Sequence, residues 1–217
     1  MEHEFQAHLQ EESLHRPGLS ELLNASELRS FLTPERIRQL KAKYHDDVAH
    51  SRQVASLAQT LFELFQPAYH FTVEQFLLLT GAAHLHDLGQ AVNQHHHDRH
   101  TAYVIENDEV LDGMSARLRL ALALTAGAHR NRVGPGIDEL APVLARAVLE
   151  MAALLRLADA LDFRHDGSAA IRFLKPEDDG GWVLGVNGLS TPSEKLVKKG
   201  KLFAEVFGAR LKIVSAA

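Results

Sequence analysis

A chain of 217 residues with a formal net charge of −5 and no cysteine excludes disulfides, thiolate metal sites and a cysteine nucleophile. The same charge argues against a dedicated nucleic-acid surface, which would be basic. With 46% hydrophobic and 24% charged residues it has the make-up of one medium-sized soluble domain, or of one domain with a small appendage.

No apolar run nears the roughly 20 residues that span a bilayer, and the acidic, polar N-terminus does not resemble a signal peptide. A cytoplasmic protein without membrane or nucleic-acid partners is expected. In chain order, residues 1–32 read as a loosely held tail ending at Pro17-Gly18 and a short helix over 20–31. Thr33-Pro34-Glu35 has the form of a helix start, with Thr as N-cap and Pro in the first turn. Val48, Leu57, Ala58, Leu61, Leu64 and Phe65 stand at helical spacing and predict a helix ending near Pro67. A third helix is expected over 72–88, stopped by Gly89 in the left-handed conformation that glycine adopts without steric cost. After the polar loop AVNQHHHDRH, Asp98 is expected to cap a short helix through Ile105.

Helices over 115–128 and 138–163 follow, the second rich in Ala and Leu as a buried central helix would be. Around Gly167 the pattern changes. AIRFLKP and GWVLGVN are short β-like runs about the turn-rich EDDGG, residues 192–207 form an amphipathic pattern, and ARLKIVS reads as a last strand. The expected fold is mainly α, with a helical domain over 33–166 and a small ββαβ subdomain over 167–217.

The chemistry lies in the histidines and aspartates. His86-Asp87 closes an apolar helix that has no packing reason to end in an imidazole and a carboxylate. Adjacent His and Asp can bind one metal ion, through a ring nitrogen and an oxygen. His50, His129 and Asp159 occur in similar helical contexts. Singly, each has a plain explanation: His50 as a satisfied core histidine, Asp159 as a helix-surface charge, and His129 with Arg130 as complements to a helix's negative end. Together, in the order H…HD…H…D, they point to a divalent ion, because a buried Asp87 is costly without a partner. A donor set of His and Asp suits Mn, Fe, Co, Ni, Zn or Mg. His100 and His129 could hold a second ion, in the arrangement that clamps attacking and leaving oxygens in phosphoryl transfer. The tandem His95-His96-His97 reads instead as loop histidines. Arg99, Arg130 and Arg164 stand beside these residues, and as a group they favour an anionic, phosphorylated small-molecule substrate.

These residues resemble the HD superfamily of metal-dependent phosphohydrolases, helical proteins named for the His-Asp pair. The C-terminal region of the exopolyphosphatase / guanosine pentaphosphate phosphatase family is the closer likeness. Its phrase HSRRVAELA is matched by His50-Ser51-Arg52-Gln53-Val54-Ala55, and HDIG by His86-Asp87-Leu88-Gly89. Its HKHSAYLI is similar to residues 98–105, with Asp98 where the family usually has His, and its VRYHR to residues 126–130. LLRLADALD is reproduced at residues 154–162. The likeness covers residues 30–215 and implies an HD-type helical bundle. In the full-length family, hydrolysis of polyphosphate or pppGpp is attributed to an N-terminal actin-like ATPase domain with no counterpart in this sequence. A stand-alone HD module is therefore expected rather than that activity.

The resemblance implies that His50, His86, Asp87 and Asp159 hold an ion that lowers the pKa of bound water for attack on phosphorus. His100 and His129 would be second-ion ligands or a general acid, and Arg99, Arg130 and Arg164 would steady the phosphate oxygens. Two other readings stand beside it. One is a non-catalytic module with a structural metal that binds (p)ppGpp or polyphosphate. The other is an assembly domain whose edge strand ARLKIVS pairs with a second copy to give a homodimer.

Overall fold

The computed structural model describes residues 18–216, so the tail expected over residues 1–17 lies outside the described residues. Two short helices, α1 (Leu19–Leu22) and α2 (Ala25–Phe31), replace the single one predicted there. Asn24 separates them: its backbone is extended and its side chain accepts the N–H of Glu27, capping α2. In α3 (Pro34–Lys43), Thr33 Oγ1 accepts the N–H of Arg36 and Pro34 opens the first turn, as the sequence predicts. Helix α4 (Val48–Tyr69) is capped by Asp47, which accepts from the N–H groups of Ala49 and His50, and it carries Pro67 inside its last turn. A capping box between Thr72 and Gln75 starts α5 (Val73–Leu85).

Helix α5 ends before His86, and Leu88–Ala91 form a separate 3₁₀ turn. Gly89 is not in the left-handed conformation expected of it. Its role is steric, because a Cβ there would lie 2.1 Å from the His97 carbonyl oxygen and 2.3 Å from the Thr101 nitrogen. The bare glycine lets the start of α6 (His97–Asn107) dock on the turn. Thr101 Oγ1 fastens the contact, donating to the His86 carbonyl (2.7 Å) and accepting the Gly89 N–H (3.0 Å). Asp98 is not the N-cap of α6. His96 holds that position at φ 59°, while Asp98 lies buried in the first turn and accepts from Asn131 Nδ2 at 2.8 Å.

Helix α7 (Ala116–Gly127) follows, and the predicted helix over 138–163 splits into a 3₁₀ segment (Pro135–Glu139) and α8 (Pro142–Leu161). Proline explains the break. Ala141 precedes Pro142 and is extended, and Pro142 then opens α8 in the first turn, where its missing N–H costs nothing. Helices α5 and α8 are buried on most faces and form the centre of the bundle. No helix among the described residues is long and apolar enough to cross a membrane.

The C-terminal ββαβ unit forms as predicted: β1 (Ala170–Pro176), β2 (Trp182–Asn187), α9 (Ser193–Phe207) and β3 (Leu211–Ser215), in sheet order β1-β2-β3. Strands β1 and β2 are antiparallel, β2 and β3 parallel, and the parallel pair uses α9 as its crossover. Aromatic packing fixes this unit to the bundle. Phe203 and Phe207 of α9 meet Phe65 and Tyr69 of α4 at ring-centroid distances of 4.9 and 4.4 Å, and Trp182 Nε1 donates to Tyr69 Oη at 3.0 Å. The fold is thus mainly α with a small C-terminal appendage, and α9 lies along α8 with Lys195, Lys198, Lys199 and Lys201 lining a cavity that Asp159 of α8 also lines.

Candidate metal centre

Four imidazoles converge on two aspartates, and in three of them the outer ring nitrogen fixes the tautomer. His50 is buried in the first turn of α4, held by the Asp47 cap, and its Nδ1 donates to Asp162 Oδ2 at 2.8 Å. Its Nε2 is left facing Asp87 Oδ2 and Asp159 Oδ1, each at 3.7 Å. His86 Nδ1 donates to the Ala83 carbonyl at 2.9 Å, which points its Nε2 at Asp87 Oδ2 (3.5 Å) and Asp159 Oδ1 (3.9 Å). His129 Nδ1 donates to the Ala126 carbonyl at 2.9 Å, and its Nε2 lies 3.6 Å from Asp87 Oδ1. His97 Nε2 is 3.4 Å from the same oxygen and 2.9 Å from His129 Nε2. Its Nδ1 stands between the Gln94 carbonyl (3.0 Å) and Arg130 Nη1 (3.3 Å). Holding a ring by one nitrogen and presenting the other is how proteins orient imidazole ligands.

The donors fall into two groups, each compact enough for one cation: His50, His86 and Asp159, and Asp87, His97 and His129. Asp87 stands between them, with Oδ2 toward the first pair of rings and Oδ1 toward the second. The residues fit a metal on a direct observation: the Nε2 atoms of His50 and His86 are buried and have no hydrogen-bond partner. Buried polar atoms in this state are costly, and both face carboxylate oxygens across a gap of cation size.

The electrostatics favour positive charge at this point. Burial works against a charged His50, yet the Asp159 and Asp162 carboxylates outweigh it and push its pKa up to about 9. Burial pushes His129 down to about 4. Burial would raise Asp87, but the surrounding imidazoles hold it below the usual carboxylate range. Asp159 is held well below that range despite burial, chiefly by the Lys199 ammonium. Lys199 reaches in from α9, with Nζ 2.8 Å from Asp159 Oδ2 and 2.6 Å from the His129 carbonyl.

The turn after α8 grips His50 from outside. Asp162 Oδ1 accepts the Gly167 N–H, and the His165 ring stacks on His50 at 3.5 Å between centroids and 2° between planes. His165 Nδ1 in turn lies 3.3 Å from Asp47 Oδ2, tying the turn to the cap of α4. Beside Asp159 opens a cavity of about 940 Å³ whose wall carries Arg130, Arg132, Lys195, Lys198, Lys199 and Lys201, with Glu205 as the other carboxylate. Arg156 also lines it, but its guanidinium is spent on the Ala128 and Asn131 carbonyls.

Of the residues predicted from sequence, His50, His86, Asp87, His129 and Asp159 come together. His100 belongs to neither donor group, and His97 stands where a second-group ligand was sought. Arg130 reaches His97 and the cavity, whereas Arg99 and Arg164 are exposed and line neither. Sequence reasoning missed His97, Asp162, His165 and Lys199. Asp162 was within reach of it, since it follows Asp159 by three residues and therefore shares its helix face. Lys199 carries no local signal.

Fold and site together define a mainly α domain built around a pre-oriented His/Asp donor set that opens on a basic cavity. Residues 34–189 match the family described as Ppx/GppA phosphatase, domain III, and the chain belongs to that family. It is similar to the guanosine-5'-triphosphate,3'-diphosphate pyrophosphatase of Vibrio atlanticus (strain LGP32), at 27% identity over 149 residues, 68% of this chain and 30% of that protein. The protein of the same name from Aeromonas hydrophila subsp. hydrophila is 25% identical over 143 residues, 65% of this chain and 29% of the relative. The chain thus spans under a third of the length of these relatives.

Proposed function

We propose that this chain is a metal-dependent phosphohydrolase of the HD superfamily that acts on a nucleotide or another phosphate ester. The observation that carries the proposal is the pair of buried, unpartnered Nε2 atoms on His50 and His86 facing Asp87 and Asp159. His50, His86 and Asp159 would hold one divalent ion, and Asp87, His97 and His129 would hold a second. His97 takes the ligand role that the sequence assigned to His100. When bound, such ions supply Lewis-acid activation of water and neutralise charge on the phosphoryl group.

The protein's own residues do the rest. Asp162, Ala83 and Ala126 keep the ligand rings in the tautomer that offers Nε2 to the centre. Arg130 and the α9 lysines draw the phosphate groups into the basic cavity and orient them beside Asp159. In this reading residues 33–166 supply the donors and residues 167–217 supply much of the anion-binding wall, so both parts build one site. The relatives' names speak of pyrophosphatase action on a guanosine nucleotide, which supports a phosphorylated nucleotide as the substrate class.

A second reading draws on Lys199, whose ammonium already neutralises part of Asp159: a metal-containing module that binds a phosphorylated ligand without turnover. Metal content by mass spectrometry of tag-free protein, beside Asp87→Ala, tests the centre. One or two equivalents of Mn, Fe, Co, Ni or Zn, lost in the variant, are expected. If neither protein holds metal, even after incubation with Mn²⁺, Zn²⁺ or Ni²⁺, the proposal fails. Phosphate release from a nucleotide panel with Mn²⁺ separates the enzyme from the binding module.

A further inference from the structure

On the other face of α4 and α5 lies a second cavity of about 920 Å³, between these helices and α3. Its lining includes Arg52 and His84, each two residues from a proposed ligand, His50 and His86. Two residues along a helix turn a side chain through more than half a circle, so α4 and α5 form the partition between groove and metal centre. The groove is a separate site, and its reading does not rest on the proposed hydrolase.

Two chemistries share its lining. Ile37, Val48 and Leu77 offer apolar surface, and Val48 is 47% exposed, a large aliphatic left to water. Arg38, Lys41 and Arg52 face the groove against one carboxylate, Asp46, in a chain whose overall charge is −5. Lys41 is committed to Ser51 Oγ and Asp46, and Arg38 to Glu35. The Arg52 guanidinium makes no hydrogen bond or ion pair with any described residue, and the buried Nδ1 of His84 has no partner. Inorganic phosphate would satisfy the cation and leave the apolar surface wet. A neutral hydrophobe would desolvate the exposed Arg52 guanidinium without replacing its lost water.

We infer that this groove binds a small organic anion, with an apolar body on Ile37, Val48 and Leu77 and a single anionic head at Arg52 and His84. The size and mixed lining are those of small-molecule sites, and the head can be a carboxylate or a phosphate.

The test is a fluorescence titration of the whole chain, as purified, with anilinonaphthalene sulfonate, an aromatic body bearing one anionic group. One saturable site is expected, with the dissociation constant raised about tenfold or more in Arg52→Gln, the loss of a charge-assisted contact. Arg52 is exposed, so the variant keeps its fold, which circular dichroism verifies. Lys198→Glu, in the other cavity, should leave the titration unchanged. Octanoate and phenyl phosphate then compete for the bound probe: displacement by the first alone assigns a carboxylate head, by the second alone a phosphate head. The inference is overturned if Arg52→Gln binds the probe like wild type, if Lys198→Glu weakens it equally, or if neither competitor displaces it.

Discussion

At the scale of the residue, the centre depends on groups that never touch the space between the donors. Asp162 and His165 hold one ring, His50, from two directions. Removing an outer partner of a metal-ligating histidine costs about 10–100-fold in metal affinity. Asp162→Ala should weaken Mn²⁺ or Zn²⁺ binding by about that factor in calorimetric titration, with His165→Ala nearer the lower end because stacking constrains only the ring plane. Unchanged affinity in both would show that His50 is positioned by its helix alone. In the proposed centre Lys199 would act in the opposite sense, since its ammonium pairs with Asp159 and would compete with a metal for it. Lys199→Met should tighten metal binding about fivefold, the Coulomb energy of one such pair near water, while slowing phosphate release; weaker metal binding in the variant would refute the competition.

A second titratable cluster, remote from the centre, sets acid stability. Burial would raise the Asp108 pKa, but the Lys43 ammonium, the Tyr44 hydroxyl and the Val110 N–H outweigh it and hold the carboxyl below its ordinary value. A depressed folded-state pKa means stability that is present above the unfolded value of 3.8 and lost as pH falls through the lower folded value. Asp108→Asn should therefore cost about 2 kcal/mol at neutral pH. In urea melts that gap should stay constant down to about pH 5 and close below about pH 4. A gap independent of pH would mean that the Asp108 charge contributes nothing.

At the scale of the element, two docking events decide what the site contains. Gly89 brings α6 against the turn after α5, so that the helix begins at His97 and that ring faces Asp87. Gly89→Ala would drive a Cβ into two backbone atoms that cannot rotate away. It should cost about 3 kcal/mol, at the upper end for overpacking, and remove the His97–His129 half of the donor set. Urea denaturation and metal stoichiometry measure the two effects separately, and a stable variant with full metal content would contradict this reading. The second event is the aromatic seam of α4, β2 and α9, which places Lys199 over Asp159.

Those same two events mark the limit of what the sequence reveals. Strands β1 and β2 were legible because short apolar runs flank a turn-rich EDDGG, and the start of α3 because Thr33 and Pro34 do local chemistry. His86 and Asp87 stood out as polar residues ending an apolar helix. Gly89 was misjudged because a glycine after a helix has two uses, conformational freedom and the lack of a side chain, and the second is visible only when α6 is present. His97 and His100 differ by less than one helical turn, and choosing between them needs the position of the helix start. Lys199 resembles the other lysines of α9 until the aromatic seam orients that helix.

At the scale of the whole molecule, the grip on His50 joins distant parts of the chain: His50 and Asp162 are 112 residues apart in sequence, and Asp47 and His165 are 118 apart. Closing loops of that length comes at an entropic cost that only a largely assembled bundle can offset. No short stretch of the chain can preform the first donor group, since His50 comes from α4, His86 from the end of α5 and Asp159 from α8. A cation that binds this centre therefore discriminates strongly between folded and unfolded chains, and its free concentration becomes a variable of stability. At about a thousand times the dissociation constant it adds about 4 kcal/mol to the unfolding free energy, reduced by whatever the contiguous His95-His96-His97 run binds in the unfolded chain. The melting temperature would then follow metal supply.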